Sequence, residues 1–360
     1  MAARHRPVAA LILSLLPALA GCGLFSRERE ALGDLSAAMT QPDAAARDAA
    51  LSSLRGTEPL VPAVWLASAS AADAPEAALV LVERGLAFRP ADPDLLLARL
   101  SLLAQLDRRE RQLECAHAAL AAGHPPEVRA EVLWFLVDGL LATGRTDDAQ
   151  DAILRLGALP GRRHDMLAAA WARVALALEA AGEPSEADRA LRAALDLGPV
   201  GLSILRREAL TDASRSTSAH RLVERAARDQ PGHADLQIYL LVDRIADGDL
   251  QGAQAALDAL PAPLPERLRP EQTALRARLL VLQDRLDEGL DILRARLADE
   301  PADPLALAVL LETWYLHRQP AADELARRLH AARPHLRDPQ LARQVAATLA
   351  ELEPPATDAD

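Results

Sequence analysis

The chain has 360 residues, half of them hydrophobic and 26% charged, with a mean hydropathy of +0.00, so it carries core material for two or three domains. Alanine, leucine and arginine dominate, β-branched residues are few, and the aromatics are three Phe, four Trp and two Tyr, a composition that favours helix over sheet. Lysine and asparagine are absent altogether, which excludes Schiff-base lysines, Walker-A phosphate loops and N-glycosylation sequons, and a net charge of −12 with a pI near 5.3 argues against a nucleic-acid partner.

In chain order, Arg4, His5 and Arg6 precede an apolar run from Val8 to Ala20 that only Ser14 and Pro17 interrupt. A basic start followed by so short an apolar stretch reads as an export signal, not a membrane span. The run ends in Leu19-Ala20-Gly21-Cys22, which resembles the bacterial lipoprotein box. That resemblance implies removal of residues 1–21, a diacylglycerol thioether on Cys22, and an acyl chain such as palmitate on the new amino group. One chain would hold the protein marginally, whereas two or more hold it firmly at ~0.8 kcal/mol per buried methylene. An acidic body is repelled by an anionic membrane surface, so the lipid does the anchoring. Residue Gly23 stands where an aspartate would imply inner-membrane retention, so the expected address is the outer membrane, facing the periplasm. The only other cysteine is Cys115, which leaves the mature chain no intrachain disulfide.

Residues 22–41 read as a lipidated, polar-to-amphipathic tether that can be partly helical, and 42–58 as an N-terminal capping helix or half of a degraded repeat, its helical part spanning Asp43 to Leu54. A repeat then dominates. In the stretch from Trp171 to Pro199, the residues Trp171, Val174, Gly182, Ala187, Leu191, Ala194 and Pro199 recur at the spacing found in Leu133, Leu136, Leu140, Gly144, Ala149 and Ile153, and again in Leu240, Gly248, Ala253 and Leu257. One anchor position per unit can be followed through Ala78, Gln112, Ala149, Ala187, Ala219, Ala253, Gly289 and Ala322, at intervals of 32 to 38 residues. Twelve residues past an anchor a helix-stopping proline recurs at Pro90, Pro199, Pro231, Pro265, Pro301 and Pro334. Gln112 is the departure, a large polar residue where the pattern wants a small one.

This pattern resembles the tetratricopeptide repeat. The resemblance implies an all-α superhelical solenoid of about eight helix pairs over residues 59–336, with first helices lining a concave face and small anchors letting second helices approach. Residues 337–353 read as a C-terminal capping helix, and the acidic, proline-bearing tail 354–360 as disordered.

Chemistry is hard to find. The histidines form no HExxH pair and none stands with cysteine at metal spacing; His330 and His335 are five apart, off one helix face. Cys115 reads as a small, semi-buried residue. There is no GxSxG elbow and no glycine-rich phosphate loop, and the cluster Asp243, Asp247 and Asp249 lacks the alternation of a calcium loop. The expectation is therefore a non-enzyme without cofactor, metal or small-molecule substrate. A hydrolase hidden in the scaffold would instead need perturbed acids gathered in one deep pocket.

What remains is the groove. Positions that point into it in tetratricopeptide proteins fall here on Glu131, Trp134, Asp138, Leu141, Leu176, Glu179, Ile238, Val242, Arg278, Leu307, Leu311, Trp314 and Tyr315. Large apolar groups on a watered helix face fit an extended or helical polypeptide. By resemblance, the expected role is a lipid-anchored interaction scaffold that helps assemble a pilus or secretion machine, insert outer-membrane proteins or export polysaccharide; the alternative is a regulator of a peptidoglycan synthase or hydrolase.

Overall fold

A computed structural model describes residues 26–161, 163–209 and 213–352. Among the described residues the regular elements are all helical. The signal segment 1–21, Cys22 and the tail 354–360 lie outside the described residues.

The chain divides into two compact units, Met1–Leu178 with Asp196–Gly198, and Glu179–Leu195 with Pro199–Asp360. The first holds α1 (Ser26–Met39), α2 (Ala44–Thr57), α3 (Pro62–Ser70), α4 (Pro75–Phe88), α5 (Pro93–Gln105), α6 (Arg109–Ala121), α7 (Pro126–Ala142), α8 (Thr146–Gly157) and most of α9 (His164–Ala181). The second holds most of α10 (Pro184–Leu197), then α11 (Val200–Ala209), α12 (Ala213–Asp229), α13 (Ala234–Asp247), α14 (Leu250–Asp258), α15 (Arg269–Leu282), α16 (Leu286–Asp299), α17 (Pro304–His317), α18 (Ala322–Ala332) and α19 (Pro339–Leu352).

Local chemistry sets these boundaries. Prolines open α3, α4, α5, α7 and α17, where a missing N–H costs nothing and the fixed φ suits the first turn. Asp43, Asp92, Asp249 and Asp303 cap α2, α5, α14 and α17 by accepting backbone N–H groups of the first turn. At the end of α13, Gly248 adopts φ 76°, a left-handed cap that glycine takes without a Cβ penalty.

Packing is local within each unit. Successive helices touch, and so do alternate ones: α1 with α3, α3 with α5 and α5 with α7 in the first unit; α11 with α13, α13 with α15 and α15 with α17 in the second. Odd helices therefore stack on odd helices while even helices back them, the tetratricopeptide-like arrangement that the repeat predicts. Each hairpin completes its core only with its neighbour.

The predicted anchors all fall on even helices, α4 to α18. Ala78, Gln112, Ala149, Ala187, Ala219, Ala253 and Gly289 are buried. Ala322 is not; it is the exposed first residue of α18, and the fourth residue, Leu325, occupies the buried anchor place. Gln112 is accommodated by hydrogen bonds: its Nε2 donates to the Phe135 carbonyl at 2.7 Å, and its Oε1 accepts from Arg109 Nη1 at 3.1 Å. Opposite, Gly139 of α7 leaves room, since a Cβ there would meet Leu113 Cδ2 at 2.9 Å.

Within the residues 22–41 read as a tether, the helical part is α1, and it is packed. Ala31 of α1 is buried with Val61 and Val64, and Leu35 and Ala38 with Leu51 and Ala67. The helix expected within residues 42–58 is α2, so α1 and α2 form one more pair beyond the eight that carry anchors. The closing helix expected over 337–353 is Pro339–Leu352, whose Leu341, Val345 and Leu349 cover the core of α17 and α18.

Candidate functional site

The open stripe of α7 carries Glu127, Glu131, Trp134, Asp138 and Leu141, spaced to share one helix face. Glu131 is exposed; Trp134, Asp138 and Leu141 are half-buried. Asp138 is the hub. It accepts from Arg173 Nη2 of α9 at 2.6 Å and from Arg109 Nη1 of α6 at 2.8 Å. Burial disfavours its charge, but the guanidinium of Arg173, the charge of Arg109 and a hydrogen bond from Gln112 outweigh that and hold the carboxyl below its ordinary value. Arg173 also lies over the Trp134 ring, 5.7 Å from its centroid. An arginine held by Asp138 thus lies over the half-buried indole.

In the second unit the polarity of the hub is reversed. Arg225 of α12 donates to Glu179 through Nη1 at 3.2 Å and Nη2 at 2.6 Å, and to Asp188 through Nη2 at 2.8 Å. Arg221 adds a contact to Glu179 at 3.3 Å. Hydrogen bonds to both acids raise the Arg225 pKa further above its usual value, so this cation stays charged at any accessible pH. Glu179, predicted for the groove, is buried and committed to this clamp.

Other predicted groove residues are also internal. Leu176, Ile238, Leu307, Leu311 and Trp314 are buried. An odd helix is flanked by two odd neighbours and backed by an even one, so only a narrow strip of it meets water. Val242 is half-buried on α13. Nearby, Arg206 sits 5.3 Å from the Tyr239 ring centroid, and burial, aided by Asp243, pushes the Tyr239 phenol up to about 12 against the opposing Arg206 charge. Arg278 of α15 is half-buried and pairs with Glu312 of α17 at 2.7 Å. Tyr315 is half exposed, its hydroxyl 3.0 Å from Thr348 Oγ1 of α19 and its ring edge-on to Trp314 at 5.0 Å.

The structure therefore leaves Glu131, Trp134, Asp138 and Leu141 together on one face and disperses the rest. The sequence reading missed Arg173, Arg109, Arg225 and Asp188. A search for odd-helix arginines about one repeat from a groove carboxylate would have found Arg173, which lies 35 residues beyond Asp138.

Acid–base chemistry finds little support in these surroundings. Among the described residues no group of three or more His, Cys, Asp or Glu could hold a metal ion. Two shallow cavities, of about 340 and 350 Å³, are lined in part by Glu324 and by Glu288. Arginines lower both carboxyls, Arg294 and Arg328 for Glu324 and Arg285 for Glu288, the opposite of an acid poised to donate a proton. Asp94, raised by burial and by Asp92, lines neither cavity.

With odd helices stacked on odd helices, the chain is an all-α helical-repeat protein of tetratricopeptide-like design. No protein-family model and no curated protein matches it. Among solved structures it is similar to the APC/C hetero-tetramer Cut9–Hcn1, at 16% identity and a TM-score of 0.36, over 91% of this chain and 64% of that one. It is also similar to the P58(IPK) TPR domain, at 15% identity and a TM-score of 0.28, over 91% of this chain and 98% of that one. A monomeric mutant of IFIT1 with Gppp-AAAA matches at 14% identity and a TM-score of 0.32, over 86% of this chain and 77% of that one.

Proposed function

We propose that the protein is a protein-interaction scaffold, anchored through acylated Cys22 and facing the periplasm, that helps assemble an envelope complex: a pilus or secretion machine, an outer-membrane insertion site or a polysaccharide exporter. The observation that carries the binding role is the α7 face, where a half-buried indole is held by Arg173 and flanked by the exposed carboxylate of Glu131. A ring immobilised before binding loses little entropy on contact, and a rigid aromatic beside a charge is the usual composition of an interface anchor. The occupant best suited to it is a polypeptide segment that sets an apolar side chain on the indole and a basic one near Glu131. The leader and the Leu19-Ala20-Gly21-Cys22 box support the address.

The test is photocrosslinking in the native envelope from a reactive residue at position 131, followed by identification of what is captured. Components of an assembly machine would support the scaffold reading, whereas cell-wall synthases or hydrolases would favour the regulatory one. Trp134→Ala, with helicity intact, should weaken capture by about tenfold, the loss of a ~1.4 kcal/mol anchor. Unchanged capture would reject this face. Cys22→Ala should abolish membrane association; a protein still in the membrane fraction would reject the anchor.

A further inference from the structure

The lipid reading has a geometric consequence once α1 is seen to be packed. An extended tether of ~20 residues would let the body roam up to ~70 Å from the membrane, but only four residue steps separate Cys22 from Ser26, a reach of at most ~14 Å. One particular end of the first unit must then lie against the bilayer. The start of α1 identifies it. Ala31 packs on Val61 and Val64 at the beginning of α3, whereas Leu35 and Ala38 reach Leu51 and Ala67 further along.

That end carries an apolar edge. Leu60, immediately before α3, is 59% exposed, and Phe88, at the end of α4, is 48% exposed. The two are built into one structure by Trp65. Its Nε1 donates to the Pro59 carbonyl at 2.9 Å, beside Leu60, and its ring stacks on Phe88 with centroids 5.8 Å apart. Gly85 permits this, because a Cβ there would meet Trp65 Cγ at 2.8 Å; the close approach sets Phe88, one turn on, over the indole. Exposed Arg84 and Arg89 flank Phe88.

We propose, resting on the acylation of Cys22, that Leu60 and Phe88 insert into the headgroup region of the bilayer that receives the acyl chains. An aromatic backed by a rigid ring and edged by arginines suits that interface. The body as a whole is acidic and repelled by anionic lipid, so a local apolar edge beside the anchor, with its own arginines, is what can touch. This contact would fix which way the repeat face is presented.

The test uses acylated full-length protein in phosphatidylethanolamine–phosphatidylglycerol vesicles, with Cys115→Ser and a polarity-sensitive fluorophore on Leu60→Cys, Phe88→Cys or, as control, Leu154→Cys, a residue 63% exposed on α8. The expected result is blue-shifted emission and lost quenching by aqueous iodide at 60 and 88, and neither at 154. Leu60→Cys leaves the Trp65–Phe88 stack intact, so a folding defect at 88 would not obscure the outcome. Labels at 60 and 88 as wet as that at 154 on vesicle-bound, acylated protein would overturn the insertion and leave the anchor standing. A Cys22 peptide without acyl mass would overturn the anchor itself, and the inference with it. An equal shift in Cys22→Ala protein without vesicles would mark a protein contact instead, and overturn the membrane assignment.

Discussion

The tryptophans of α7 and α17 meet two different surroundings. Trp134 stands on a helix with a polar stripe, Glu127, Glu131 and Asp138, and keeps part of its ring in contact with water. Trp314 stands on a helix that is apolar nearly all round, packed among Leu290, Leu293, Leu325, Leu329, Leu341 and Val345, and is 5% exposed. The difference comes from position in the array. A helix inside the run is covered by its neighbours and keeps one narrow face open, whereas the pair α17/α18 is covered by the single helix α19. The lesson is that a large aromatic signals a binding surface only where charged residues share its stripe.

The widest separation should appear in stability. Trp314→Ala empties a buried site and should cost ~3–5 kcal/mol, read as a fall in the urea midpoint. Trp134→Ala should cost about 1 kcal/mol and show its effect in partner capture instead. Equal losses of stability would erase the distinction between an open and a closed helix. Arg318, paired with Glu351 of α19, lies over the Trp314 ring, its guanidinium 4.4 Å from the centroid.

The two ionic hubs make a second contrast, a carboxylate between two arginines in the first unit and an arginine between two carboxylates in the second. Arg225→Ala leaves Glu179, whose side chain is 6% exposed, with only the more exposed Arg221, and should destabilise by ~3 kcal/mol; replacing both Arg225 and Glu179 by methionine should recover most of it. Asp138→Asn should cost about 2 kcal/mol near neutral pH, because two guanidiniums lose a charged acceptor. Its pH dependence sharpens the contrast. The folded pKa of Asp138 lies below its unfolded value of about 3.9, so its stabilisation is present above that pH and is lost as pH falls through the folded pKa. The gap between wild type and Asp138→Asn in urea midpoint should therefore be full at pH 6 and shrink below about pH 3.9. The Arg225 cation does not titrate there, so Arg225→Ala should show no such convergence from the arginine itself.

Much of the fold was legible because small residues recur where helices must approach. Ala149, Ala187 and Ala253 mark even helices without ambiguity, and all three are fully buried. Of the pair α1/α2 only α2 was plain; the packing of α1 was not, because its stripe of Ala31, Leu35 and Ala38 is thin and follows the charged start SRERE. Ala322 stands at the repeat interval without being the anchor, because the chain spends four residues, Arg318 to Ala321, before α18 begins and puts Leu325 in the anchor place. The site was half legible. Trp134 and Asp138 can be placed on one face of α7 from spacing alone, but Leu307, Leu311 and Trp314 cannot be sorted into inner and outer on a helix with no polar side. Arg173 becomes visible only when α9 lies beside α7.

The finest contrast, ending in the smallest effect, comes from two glycines that admit close contacts in different ways. A Cβ at Gly289 would meet the Ala277 carbonyl oxygen at 2.8 Å, a backbone atom that cannot turn aside without moving α15. A Cβ at Gly139 would meet the far end of the Leu113 side chain at 2.9 Å, which can rotate. Both substitutions gain about 1 kcal/mol of helix propensity, which offsets part of any overpacking cost of ~1–3 kcal/mol. Gly289→Ala should thus destabilise by about 2 kcal/mol and Gly139→Ala by less than ~1 kcal/mol. Were Gly139→Ala the worse of the two, the room that Gly139 leaves would be required by Gln112 as well as by Leu113, and the hydrogen bond from Gln112 to the Phe135 carbonyl would be the interaction lost.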